Sequence, residues 1–184
     1  MKFCSQCGTS VSVSVPDGDN RERHICDNNN CATIHYQNPR VITGCLPVYD
    51  DKVLLCKRSI EPQCGYWTLP AGFMENGETT KQGAERESWE EARATLRIEA
   101  LYTIFDLPHI NQVYFFYKAR LLDLDFQPGE ESSDVQLFSE DQVPWRQLAF
   151  PVIVDTLKYY FEDQKKDQFT FRSRAITRSH RHMS

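Results

Sequence analysis

The chain has 184 residues, 40% hydrophobic and 26% charged, with a mean hydropathy of −0.55; this is enough apolar content for one catalytic-sized core and a small appendage. No apolar run approaches the ~18 residues that a membrane helix needs, and Met1-Lys2-Phe3 leads straight into a cysteine motif, so membrane and secretory readings are excluded and a cytoplasmic protein is expected. The net charge of −5 divides into +5 over residues 165–184 and −10 over the rest, which argues against a nucleic-acid-binding body but suits one that acts on polyphosphates through divalent cations.

Seven cysteines is an odd number, and four of them fall within the first 31 residues. Without a signal peptide, such crowding favours a metal over disulfides. Cys4-Ser-Gln-Cys7-Gly8 is a CxxC knuckle, and 18 residues later Cys26-Asp-Asn-Asn-Asn-Cys31 offers a second pair. Between them Val11, Val13 and Val15 alternate with Ser, Pro16-Asp17-Gly18-Asp19 turns, and a strand returns through His24 and Ile25. Four thiolates can close a tetrahedral Zn²⁺ shell. The second pair has four spacer residues and Ala32 where a Gly would ease the turn, so either a wider loop surrounds the same metal or His24 or His35 replaces a thiolate. A closed four-ligand site leaves no position for substrate, so a ribbon over residues 1–36 has a structural role. Its Lys2, Arg21 and Arg23 are matched by Asp17, Asp19, Glu22 and Asp27, leaving no basic face for nucleic acid.

Past Asn38-Pro39-Arg40, Val41 to Val48 and Lys52 to Ser59 are apolar-rich runs joined at Tyr49-Asp50-Asp51, and read as paired strands. Tyr66 to Pro70 is a short extended segment that Pro70-Ala71-Gly72 breaks. A loop through Asn76-Gly77 then leads to a helix from about Thr80 to Ala94, capped by Thr79 or Thr80. Strands follow over Ile98 to Phe105, Gln112 to Leu121 and Asp134 to Phe138, and Ile153, Val154, Leu157 and Phe161 recur at helical spacing from Phe150 to about Asp163. Helices flanking a mixed sheet make residues 37–164 an α/β body. Residues 165–184 read as a basic, flexible, poorly packed tail.

The first helix carries Arg86-Glu87-Ser88-Trp89-Glu90-Glu91. Glu87, Glu90 and Glu91 stand at i, i+3 and i+4, on one face and within about 6 Å of one another. Three like charges there repel unless something neutralises them, and hard divalent cations with oxygen ligands do so.

Gly72, five residues, Glu78, seven residues, Arg86-Glu87, two residues and Glu90-Glu91 match the Nudix box, and the chain resembles the Nudix hydrolases on these positions. With the cysteine ribbon, Tyr36-Gln37-Asn38-Pro39, Leu69 to Glu78 and Leu107-Pro108-His109, the resemblance covers roughly residues 1–162 and extends to the zinc-ribbon group that cleaves FAD and ADP-ribose. It implies a Nudix-type α/β/α sandwich with a mixed sheet behind a small N-terminal zinc ribbon. It further implies that Glu87, Glu90, Glu91 and the Ala71 carbonyl hold Mg²⁺ or Mn²⁺, and that Glu78 pairs with Arg86 to fix the loop against the helix. The expected reaction cuts the diphosphate of a small nucleotide substrate, FAD or ADP-ribose, to AMP and a monophosphate.

Other candidates are read from the residues themselves, since the family places its general base differently from member to member and an ordinary solvated loop is the competing role of the segment before the last strand. Glu131 and Asp134, in Gly129-Glu130-Glu131-Ser132-Ser133-Asp134, are the candidates for a general base. Tyr66, Trp67, Phe73 and Tyr114 are aromatic candidates to stack on a base or flavin, with core packing as the competing role. Pro108 resembles the downstream proline of ADP-ribose pyrophosphatases. The chain departs from the family at Ser88, where an apolar residue is usual, and at Arg93-Ala94, where Gly and an apolar residue are usual. The metal-binding positions are intact, so these departures bear on stability; Arg93 is a poor residue for a left-handed helix cap. NADH pyrophosphatases are the alternative among enzymes, although their Ser-Gln-Pro-Trp-Pro-Phe-Pro segment is absent. A silent regulator that binds nucleotide sugars is the alternative from another class, disfavoured by the complete glutamate set. A homodimer is an expectation carried by the resemblance alone.

Overall fold

Val11–Ser14 forms β1, Arg23–Cys26 β2 and Ile34–His35 β3, an antiparallel sheet in the order β1-β2-β3. This ribbon lies within Met1–Pro39, one of two units in the computed structural model, which describes residues 1–177; the other unit begins at Arg40. The alternation through Val13 and Val15 marks a strand, yet both side chains stay exposed, because so short a ribbon has little core to bury them in. Strand β3 follows the second cysteine pair and was not expected.

The larger unit holds one mixed sheet. Its strands are β4 (Arg40–Tyr49), β5 (Lys52–Arg58), β6 (Trp67–Thr68), β7 (Ala71–Phe73), β8 (Leu96–Leu107), β9 (Gln112–Leu121), β10 (Ser132–Phe138) and β11 (Arg172–Ala175). The order is β10-β5-β4-β9-β8-β11, with β6 against β5 and β7 against β4. β4 pairs parallel with β9, as does β8 with β11, and the remaining pairs are antiparallel.

Two helices cover the sheet, α1 (Thr80–Ala92) and α2 (Pro151–Gln164). Successive strand residues point to opposite faces, and here both faces are dry. Leu55 packs with Val152, Ile153 and Leu157 of α2, whereas its neighbour Leu54 packs with Ala92 of α1. Likewise Leu46 joins the α2 layer and Cys45 joins Ala84 in the α1 layer. Burial on both faces explains why these strands read as nearly unbroken apolar runs. The α/β/α sandwich with a mixed sheet is therefore observed. Among the described residues no helix is long and apolar enough to cross a membrane.

Thr79 caps α1: its Oγ accepts from the Gln82 N–H at 3.2 Å and its own N–H donates to Gln82 Oε1 at 2.8 Å, a reciprocal box that fixes the start of the helix. At the other end Arg93 does adopt the left-handed conformation, φ 51°, and its N–H returns to the Trp89 carbonyl at 2.8 Å. The helix therefore stops at Ala92 rather than running on to Ala94, at a conformational cost of about 1 kcal/mol for a side chain in that region. Ser88 is fully buried without loss of a partner, since its Oγ donates to the Ala84 carbonyl at 2.7 Å.

The basic tail is corrected over its described part. Arg172–Ala175 forms β11, parallel to β8 in the register Arg172↔Thr103 to Ala175↔Asp106; residues 178–184 lie outside the described residues. A latch holds this strand. Both Asp163 oxygens accept from Arg172, at 2.5 and 2.6 Å, and Asp163 Oδ2 also accepts from Tyr102 Oη at 2.9 Å and the Thr170 N–H at 3.1 Å. Arg172 holds the Asp163 carboxyl down to about 2 against the opposing effect of burial, with the Thr170 N–H and Tyr102 assisting. Because the folded value lies below the ~3.9 of an unfolded chain, this stabilisation is complete above that pH and is lost as pH falls through about 2. Asp163→Asn should cost about 2 kcal/mol at pH 7, a buried pair discounted for the part-exposed Arg172. A urea midpoint equal to that of the parent would show that the latch contributes nothing.

Candidate functional site

Helix α1 packs across β4 and β7, and this places its acidic face over the Ala71-Gly72 backbone. Glu87 and Glu91 are only 9% and 6% exposed. The Glu87 carboxylate occupies the space where a side chain on Gly72 would be: a Cβ there would meet Glu87 Oε2 at 2.5 Å. Only glycine admits so close an approach. Glu90 is half exposed, with a side-chain exposure of 53%.

Arg86 organises these groups. Its Nε and Nη2 donate to the two oxygens of Glu78 at 3.1 and 2.8 Å, and its Nη1 donates to Glu87 at 2.7 Å and Glu90 at 2.8 Å. Nη2 also reaches the Phe73 carbonyl at 3.1 Å. One guanidinium thus ties the loop 73–78 to the helix, a geometry that a single ammonium could not reproduce. Its forked hydrogen bond holds the Glu78 carboxyl down to about 2, with the Glu75 N–H assisting. Glu87 is raised by burial in spite of Arg86. Glu91 is pushed up to about 8, chiefly by burial, then by Glu87; Arg58 opposes the rise and Glu131 adds to it. Two carboxylates are therefore held in a dry, mutually repelling site, which is the condition a hard divalent cation relieves. The donor set, all oxygen, fits Mg²⁺ or Mn²⁺. Among the described residues the three glutamates do not gather into one ligand set as their side chains lie; Glu87 and Glu90 instead share Nη1 of Arg86.

Glu87, Glu90 and Glu91 open into a cleft of about 1000 Å³. Its second wall comes from the loop that docks on the end of α1. There the Gln127 and Gly129 N–H groups donate to Ala92 and Glu91 carbonyls, both at 2.9 Å, and a Cβ on Gly129 would strike the Glu90 carbonyl. This docking carries Glu130 and Glu131 to the cleft. The remainder of the wall is largely apolar, with Ile42, Leu107, Tyr114, Phe150, Ile153 and Ile176, a composition suited to a planar organic group.

The expected site residues divide. Arg86, Glu87, Glu90, Glu91, Ala71, Glu131, Phe73 and Tyr114 all border the cleft. Glu78 does not, and reaches it through Arg86. Asp134 stands away from the cleft on β10, where its carboxylate accepts from Gln136 at 2.7 Å. Trp67 is a core residue, 7% exposed and edge-on to Phe138 at 4.9 Å. Tyr66 and Pro108 border the neighbouring elements but not the cleft wall, which takes Leu107 and His109 instead. Sequence reasoning missed Arg58. It faces the cleft from the end of β5, its guanidinium 5.5 Å from the Phe150 ring centroid and its Nε donating to the Pro62 carbonyl at 2.8 Å. The Lys57-Arg58 pair closing an apolar strand was the available signal. Gln112 was also missed; its Oε1 accepts from Tyr114 Oη at 3.0 Å on the cleft wall.

In the ribbon, Cys4, Cys7, Cys26 and Cys31 converge, their sulfurs all within 4.8 Å of one another. Cys7–Cys26 and Cys4–Cys31 separations are 3.4 and 3.9 Å, against about 3.8 Å for the edge of a tetrahedral zinc thiolate site. Ala32 takes the left-handed φ of 48° that a Gly would have eased, so the wider second knuckle still closes. Neither histidine is needed as a ligand: His35 Nε2 lies 3.3 Å from Cys4 Sγ, and His24 Nε2 faces the N-terminal amine at 3.4 Å. Freshly purified protein should carry stoichiometric zinc. Cys7→Ser should lose it and open residues 1–39 to protease while the larger unit resists. Zinc-free wild-type protein with an intact ribbon would contradict this.

Comparison with known proteins agrees with this architecture. A family model described as "NUDIX domain" matches residues 38–160, and one described as "Nudix N-terminal", a zinc ribbon, matches residues 2–37. The crystal structure of a NUDIX hydrolase from Nitrosomonas europaea is 55% identical with a TM-score of 0.93, covering 97% of this chain and 100% of that one. An "ADP-ribose pyrophosphatase" of Methanocaldococcus jannaschii is 28% identical over 62% of this chain and 69% of its own length. An "NAD-capped RNA hydrolase NudC" of Chromobacterium violaceum is 30% identical over 83% of this chain, which spans only 55% of that relative.

Proposed function

This chain belongs to the Nudix hydrolase family and is a pyrophosphatase of that family, and from that premise we propose that it cuts the diphosphate bridge of an adenosine diphosphate conjugate, releasing AMP and a second monophosphate. ADP-ribose is the first substrate and FAD the second. The observation that carries this reading is the pair of buried carboxylates, Glu87 and Glu91, at the acidic end of a cleft that also presents a largely apolar wall. Such a site repels a diphosphate unless a divalent cation is present. We assign Glu87, Glu90, Glu91 and the Ala71 carbonyl to hold Mg²⁺ or Mn²⁺. When bound, the ion withdraws charge from the phosphate oxygens and lowers the pKa of an attacking water.

The chain's own residues do the rest. Arg86 and Glu78 clamp the loop that bears Gly72 and Phe73 against α1, which holds Glu87 and Glu90 on one guanidinium beside that loop. Glu131 is the group we assign to take the proton of the attacking water; its support is that it lines the cleft and raises both Glu87 and Glu91 through charge. Asp134 has no such support. Tyr114, whose phenol burial pushes up from its ordinary value, offers a ring to the organic half of the substrate. An NAD(H)-type substrate is the second reading, favoured by the NudC likeness over most of this chain.

A substrate panel with Mg²⁺ and product identification tests this. AMP with ribose 5-phosphate supports ADP-ribose, AMP with FMN supports FAD, and AMP with nicotinamide mononucleotide supports the second reading. Tight binding of a nucleotide sugar without turnover of any diphosphate would favour a silent regulator.

A further inference from the structure

Ile176, the residue that follows the C-terminal strand β11, lines the cleft. Arg172 and Arg174 alternate along β11 on the face turned to α2, and Ile176 follows the strand at the next alternate position. Arg172 pairs with Asp163 at 2.5 Å, Arg174 pairs with Asp155 at 2.9 Å, and Ile176 meets the first turn of α2, where it joins Pro151 in the cleft wall. The ladder with β8 also reaches this point, since the Ile176 N–H donates to the Asp106 carbonyl at 2.8 Å. Two ion pairs and a parallel strand pairing thus fix one half-buried apolar side chain beside the catalytic cleft.

We infer that Ile176 is a specificity-determining residue: with Leu107 and Tyr114 it forms the apolar wall that receives the planar ring of the substrate, so that the segment after α2 completes the substrate site. This rests on the reading of the cleft as a diphosphate-conjugate site and deepens it. The chemistry is non-directional burial of a ring face. Ile176 has no hydrogen-bonding side chain, lies in the apolar wall remote in sequence from the acids of α1, and packs on the same core cluster as Phe150 and Tyr114. A residue in that position contributes to holding the conjugate and contributes nothing to the bond being cut. It should therefore act on KM and leave kcat alone.

Steady-state kinetics on the full, metal-loaded chain with ADP-ribose, FAD and NADH provide the test. Ile176→Ala should raise KM for the preferred conjugate about fivefold to tenfold with kcat nearly unchanged, and Ile176→Leu, which restores the apolar volume, should recover the parent KM. Ser173→Ala, on the opposite face of β11 and exposed, should match the parent throughout. Hydrogen exchange of the 172–175 amides should stay at the parent level in Ile176→Ala, separating loss of a wall from loss of the strand. An unchanged KM in Ile176→Ala, or a fall in kcat at constant KM, overturns the inference while leaving the pyrophosphatase reading intact. Failure of the parent to hydrolyse any conjugate overturns that reading and this inference with it.

Discussion

Glu91→Gln should lower turnover about a thousandfold, corresponding to several kcal/mol of lost transition-state stabilisation, and should leave the protein at least as stable as before. The two halves of this expectation have one cause. Glu91 is 6% exposed, and burial, with Glu87 next, pushes its carboxyl up to about 8. An unfolded chain would titrate near ~4.3. The folded, metal-free protein therefore binds this proton more tightly, and the contribution of Glu91 to stability is greatest below ~4.3, declines as pH rises, and is lost in full above about 8. Gln keeps the shape and removes the charge, so at pH 8 without metal the variant should melt at or above the parent temperature. A buried group that destabilises the resting fold and abolishes turnover when neutralised is there for the reaction. Parental activity across a Mg²⁺ titration would show instead that the acid merely lines the helix, and a lower melting temperature would show that its charge is structural.

Arg86→Ala should fail in the opposite manner, losing activity and stability together. Arg86 supplies hydrogen bonds to Glu78, Glu87, Glu90 and the Phe73 carbonyl, and its removal leaves those carboxylates without a cation in contact among the described residues. Turnover should fall by about a hundredfold or more as the loop and helix lose their common anchor. The fold should lose about 2 kcal/mol, less than for a fully buried network because part of the guanidinium meets solvent. Arg86→Lys restores the charge but not the fork, and should recover only a small part of either. Equal kinetics in Arg86→Lys and the parent would mean that charge alone matters there.

What the amino-acid order discloses depends on how local the deciding physics is. Helix α1, its acidic face and the cysteine knuckles are written in spacings of a few residues, and Cys45–Leu46 and Leu54–Leu55 reveal strands buried on both faces because both neighbours are apolar. Strand β7 was hidden for the opposite reason. Pro70-Ala71-Gly72 carries turn residues, yet Gly72 pairs with Thr43 of β4, a contact set by tertiary packing. Strand β11, Arg-Ser-Arg-Ala, has no apolar signature at all; its arginines find Asp163 and Asp155 on a helix that only folding brings alongside. Aromatic residues could not be sorted by type. Trp67 and Tyr114 look alike as stacking candidates, but Trp67 faces Phe138 in the core and Tyr114 faces the cleft. Glu131 and Asp134, three residues apart, are separated because Gly129 docks on the end of α1 whereas Asp134 is already within β10.

Hydrolysis of ADP-ribose in ¹⁸O-labelled water, with mass spectrometry of both products, tests the central claim most directly. Cations held by the Glu87, Glu90 and Glu91 face beside Gly72 favour attack at phosphorus within the P–O–P bridge, so the label should appear on phosphorus, in the phosphate of AMP or of ribose 5-phosphate, beyond the label that the free anomeric hydroxyl exchanges without enzyme. Turnover of the conjugate with no label on either phosphate and the diphosphate bridge intact would contradict the account.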